Sequence, residues 1–118
     1  DSAAMGRVWA ATLPVLCIHP GLPPLTELAQ VLASWQEILG SRNCPTLDHQ
    51  VHRVLHYADM ALVTCYEWSK SQPEGALLAT NGFAREDGAY RMILHHAGPV
   101  PRSAIPKTAP TPPAQRMH

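Results

Sequence analysis

Ala61-Leu62-Val63-Thr64-Cys65-Tyr66-Glu67-Trp68 is the stretch on which the fold turns. Side chains alternate faces along a strand, so Ala61, Val63, Cys65 and Glu67 share one face and Leu62, Thr64, Tyr66 and Trp68 the other. Both faces carry apolar or aromatic groups, whereas a half-solvated sheet shows one plainly polar face. The segment therefore reads as a strand that needs a cover on each side. Its neighbours repeat the pattern: Leu47–Tyr57, Gly75–Arg85 and Ala89–Ala97 read as three more strands. The links between them are short, and Glu86-Asp87-Gly88 is a strong hairpin signal, so the four strands are expected to run antiparallel.

Upstream the period changes. Leu25, Leu28, Val31, Leu32, Trp35, Ile38 and Leu39 recur at helical spacing, with Glu27, Gln30, Ser34 and Glu37 on the other face. This predicts a helix from about Pro24 to Leu39, with Gly40 as a left-handed C-terminal cap. Val15-Leu16-Cys17-Ile18 reads as a short strand ended by His19-Pro20-Gly21. Met5, Val8 and Trp9 place the end of another helix on one face before Pro14. The fold class is α+β: one curved antiparallel sheet wrapped around helices on one face. Residues 1–98 are expected to form the domain and residues 99–118, which hold six of the twelve prolines, an extended or disordered tail.

Nine basic and nine acidic side chains cancel, and no basic stripe offers a nucleic-acid footprint. No apolar run approaches the roughly 20 residues of a membrane helix. The chain begins Asp1-Ser2-Ala3-Ala4, with no apolar leader, so a processed or truncated start is expected. Cys17, Cys44 and Cys65 are odd in number and irregular in spacing, which argues against a disulfide framework and for reduced thiols in the cytoplasm. His52 and His56 lie four apart, but on a strand that spans roughly 13 Å, too far for one metal ion.

Two segments carry a resemblance. One is Cys17-Ile18-His19-Pro20-Gly21 followed by Ala33-Ser34-Trp35-Gln36-Glu37-Ile38-Leu39. The other is Ala79-Thr80-Asn81-Gly82-Phe83, continued by Asp87-Gly88-Ala89-Tyr90-Arg91-Met92-Ile93-Leu94-His95-His96-Ala97-Gly98-Pro99. Together with Val63-Thr64-Cys65 they resemble the SnoaL-like branch of the nuclear-transport-factor-2-like superfamily, over roughly residues 1–100. The resemblance implies a cystatin-like cone with an apolar pocket. It also implies a further N-terminal helix that this chain does not include. Family strands of this kind carry three histidines and then Ala-Ser-Pro; Leu94 and Gly98 depart from that.

The resemblance implies cofactor-free isomerase, cyclase or dehydratase chemistry on a small apolar molecule. His19 stands where isomerase-like members place a general base before proline, and an imidazole takes a proton near neutral pH. Asn81 stands where they project an acid; an amide donates a hydrogen bond but no proton. Trp9, Trp35, Cys65, Phe83 and Met92 are the expected lining or filling of the cone. His95 and His96 must face opposite ways. Sharing parity with Met92 and Leu94, His96 is assigned to the interior and His95 to the far face, although one bulge inverts that. The apolar far face predicts a homodimer. The alternative function is a non-catalytic dimerisation module of the same fold, since fold alone does not decide function.

Overall fold

The computed structural model describes residues 2–40, 46–72 and 74–107, so Cys44 and residues 108–118 of the expected tail lie outside the described part. The element order is α1 (Ser2–Val8), β1 (Leu16–Ile18), α2 (Leu28–Leu39), β2 (Leu47–His56), β3 (Met60–Ser69), β4 (Gly75–Glu86) and β5 (Ala89–Pro101). The strands form one sheet in the order β1-β5-β4-β3-β2. The three expected hairpins are all present, and the β4–β5 turn has Asp87 and Gly88 both at positive φ, as a type I′ loop requires. The sheet is mixed rather than wholly antiparallel, because β1 pairs parallel with β5. β5 also continues through Pro99 to Pro101, so the expected domain boundary at residue 98 falls inside a strand.

α2 begins at Leu28, four residues later than the expected start at about Pro24. Leu25 is taken into a backbone pair with Cys17, donating and accepting at 2.8 and 2.9 Å. Glu27 is still extended, and the helix starts only after it. Gly40 closes the helix in the right-handed region (φ −84°), so the expected left-handed cap is not used. The core lies between α1, the 9–18 segment, α2 and β5. Trp9, Ala10, Val15, Cys17 and Val31 form its buried centre, flanked by Leu28, Leu32, Trp35, Met92 and Ile93.

Met92 and Ile93 are consecutive on a strand, yet both pack on that core. The register explains it: Phe83 pairs Met92 and Gly82 pairs Leu94, leaving Ile93 as an extra residue on β5. Beyond this bulge the alternation is inverted. Asn81 and His95 now face the helices, and Leu62, Gly82 and Leu94 meet on the outer face. There a Cβ on Gly82 would lie 3.0 Å from Leu94 Cβ and 3.3 Å from Leu62 Cδ2. Gly82→Val is therefore expected to lower stability by about 1–3 kcal/mol through overpacking, read from a denaturant midpoint. A cost near zero would mean the outer-face leucines are not held together.

The loop between α1 and β1 is fastened by one carboxylate. Glu86 accepts the backbone N–H groups of Ala11, Thr12 and Leu13 at 2.8–3.0 Å and the Thr12 hydroxyl at 2.9 Å. These donors, Ala11 first, hold its carboxyl down at about 2 against an ordinary 4.5. A carboxyl lowered in the folded state contributes above its unfolded value and loses that contribution as pH falls from 4.5 towards 2. Glu86→Gln is expected to melt earlier than the parent at neutral pH, with the gap closing near pH 2. A gap independent of pH would contradict the clamp.

Candidate functional site

His19 follows β1 directly, where its carbonyl accepts Leu22 N–H across the Pro20-Gly21 turn. It is 4% exposed. Its Nε2 lies 2.9 Å from Ser34 Oγ and 3.5 Å from Cys17 Sγ, and Ser34 Oγ donates to the Val31 carbonyl at 2.7 Å. Ser34 comes from α2, as does Trp35, whose ring stands edge-on between two imidazoles. Its centroid is 4.9 Å from that of His19 and 5.0 Å from that of His95. His95 is 7% exposed and lies across the sheet from both Cys17 and Asn81. Its Nδ1 is 2.7 Å from Asn81 Oδ1.

Burial lowers the pKa of His19. His95 is lowered to about 4, first by burial and then by His19 and His96. Both rings are thus neutral near pH 7. Burial pushes the Cys17 thiol up to about 11, with the Trp35 indole N–H offsetting part of the rise, so it stays protonated. That indole N–H is buried without a hydrogen-bond partner of normal geometry. From the cluster the helix-facing surface continues over half-buried Val63 and Phe83, which the register sets beside Asn81 on β3 and along β4. Cys65 and Ala79, one pair further, are buried. Glu67 ends that row; burial raises its carboxyl and His49 opposite partly counters this. Chemically the cluster offers neutral hydrogen-bonding groups beside an apolar wall.

Residues 1–102 match the SnoaL-like domain family. The chain belongs to that family. This SnoaL-like domain is 33% identical to a solved structure from Thiobacillus denitrificans described as a putative calcium/calmodulin-dependent protein kinase type II association domain. That likeness covers 85% of this chain and 82% of the other, with a TM-score of 0.74. It is 28% identical to a putative dehydratase of the NTF2-like family from Streptomyces avermitilis, with the same coverage and a TM-score of 0.70. Among curated proteins it is 32% identical over 96 residues to F-box protein SKIP8 of Arabidopsis thaliana, spanning 80% of this chain and 40% of that relative's length.

Of the residues expected at the site of this SnoaL-like domain, His19, Asn81 and Trp35 come together, joined through His95. Phe83 lies beside them. His96 does not: it is exposed on the outer face, and His95 takes the interior, because the bulge at Ile93 inverts the parity that assigned them. Trp9 is 2% exposed at the centre of the core, so its rings are occupied by packing, with Met92 against it. Cys65 is buried in the sheet with its thiol 3.5 Å from the Tyr66 carbonyl. Sequence reasoning missed Ser34 and His95. Ser34 reads as a residue of the helix's polar side, and only the bulge reveals His95.

Proposed function

We propose that this SnoaL-like domain binds a small, largely apolar molecule against the His19–Trp35–His95–Asn81 cluster, with Val63 and Phe83 as the wall. The observation that carries this is the burial of two neutral imidazoles, beside the half-buried Asn81 amide, at the end of an apolar, half-exposed surface. Burying polar groups is costly unless they are partnered, and sites that recognise ligands place a few of them in an apolar lining. The finer reading is cofactor-free proton transfer of isomerase, cyclase or dehydratase type, with His19 as base and Asn81 orienting the substrate. The resemblance to a putative dehydratase favours it. The buried thiols of Cys17 and Cys65 fit a reducing, cytoplasmic setting, and among the described residues no helix is long and apolar enough to cross a membrane.

The test is a ligand-observed NMR screen of small cyclic ketones and phenols against the parent and His19→Ala. The variant is expected to keep its fold and lose binding by at least about tenfold, the cost of one buried polar partner. Any turnover found with a parent substrate should vanish with it. Unchanged binding would remove His19 from the site.

A homodimer through the outer face is the second reading. Leu62 and Leu94 meet there only half-buried, and Leu55, paired with Leu62 at the β2 edge, is 42% exposed. The likeness to a putative association domain points the same way. The chain itself covers one end of that face: Arg102 stacks 5.2 Å from the Trp68 ring, and Gln50 Nε2 donates to the Pro106 carbonyl at 3.3 Å. The remaining patch is the part open to a second copy. Leu94→Arg is expected to convert a dimer to a monomer in sedimentation velocity; a parent that already sediments as a monomer would refute this reading.

A further inference from the structure

The hydrogen bonds around the two buried histidines fix where their protons sit. Ser34 Oγ has one proton, and it goes to the Val31 carbonyl at 2.7 Å. Towards His19 Nε2, 2.9 Å away, the hydroxyl oxygen therefore only accepts. Nε2 carries the proton, with Cys17 Sγ at 3.5 Å as a weaker second acceptor, and Nδ1 is the lone-pair nitrogen. His95 is set the other way round. Its Nδ1 faces Asn81 Oδ1, which has only lone pairs to offer, so Nδ1 carries the proton and Nε2 is bare. The Asn81 amide nitrogen keeps its two N–H groups, and neither they nor the two bare nitrogens have a hydrogen-bond partner among the described residues.

The free positions of the cluster are thus two acceptors, the Asn81 amide donor and the buried Trp35 indole N–H. We infer that it is set to recognise a hydroxyl on an apolar frame, a phenol, enol or alcohol, and that Ser34 and Asn81 are the positioning residues that fix the two tautomers. A hydroxyl donates to an imidazole nitrogen while accepting from the Asn81 amide. A bare carbonyl can only accept; it leaves the imidazole lone pairs facing its own, and a buried acceptor left unpaired costs about ten- to a hundredfold in affinity. Neutral rings at ordinary pH keep both acceptors available. The inference rests on the reading that this cluster binds a ligand.

The experiment has two arms. In the first, long-range proton–nitrogen NMR on histidine-labelled protein reads the tautomers directly. The expected result is the proton on Nε2 of His19 and on Nδ1 of His95. Ser34→Ala should turn His19 into a tautomer mixture while His95 stays unchanged. The opposite tautomer at either ring, or no response of His19 to Ser34→Ala, overturns the proposal. In the second arm naphthol and its ketone counterpart tetralone are titrated into the parent. Naphthol is expected to bind at least about tenfold tighter. Equal or reversed affinities, with the tautomers as stated, overturn the hydroxyl preference and leave the binding reading standing. Failure of both probes to bind counts against the binding reading itself and takes the preference with it.

Discussion

Replacing Trp9 by alanine is expected to lower the unfolding free energy by about 3–5 kcal/mol, the range for emptying a large aromatic site in a core. Set against a total of about 5–15 kcal/mol for a domain, that leaves a chain on the edge of unfolding. Trp9 is nearly inaccessible, and Ala10, Val15, Cys17 and Val31 complete the cluster around it. It also ties the 9–18 segment to β5 through its backbone bridge to Met92, so the cavity opens where three elements meet. Neighbouring backbone is held by the Glu86 clamp and by the Ala10 N–H to Met92 carbonyl bond, which limits collapse into the gap. Trp68 is the control. It lies half-buried on the outer face beneath Arg102, and its removal forfeits an exposed cation–π contact of about 0.5–1 kcal/mol together with partial burial. Denaturant unfolding of the two variants compares them; a larger loss for Trp68→Ala would place the core on the wrong side of the sheet.

The second large effect appears in mild acid. His95 titrates at about 4 when folded and at 6.5 when exposed, so the unfolded chain takes up the proton first. A histidine whose folded value is lowered contributes fully above its unfolded value and loses that contribution as pH falls from 6.5 to about 4. The shift corresponds to a loss on the order of 3 kcal/mol across the window. His19 is lowered as well and adds in the same direction, while His96 and His19 are the titratable groups that oppose a charge on His95. The Glu86 loss follows separately at lower pH. His95→Gln should flatten most of the slope between pH 6.5 and 4 and leave the lower limb intact. Parallel profiles for parent and variant would mean that His95 is not buried neutral.

Much of this fold was legible because alternation and turn chemistry are local. The four long strands, their hairpins and the Asp87-Gly88 turn follow from side-chain parity and positive-φ residues alone. The parallel β1–β5 pairing is not local, and neither is the late start of α2, which depends on Leu25 finding Cys17 across a turn. The site divided in the same way. His19, Asn81 and Trp35 are recognisable from their neighbours in the chain. His95 was assigned to the wrong face because counting by twos fails once Ile93 bulges, and a bulge costs no distinctive residue. Ser34 reads as one more solvated helix position until β1 brings His19 against it.

Ligand binding at the inner face is tested most directly by mapping the amide and side-chain NMR shifts of the parent protein as naphthol is added. Binding at the cluster predicts that the largest changes fall on the Asn81 side-chain amide, Phe83, Val63 and the His95 ring. Changes confined to Leu62, Leu94 and the β2 edge would contradict it, since they would leave the inner face without a ligand and the outer face as the working surface.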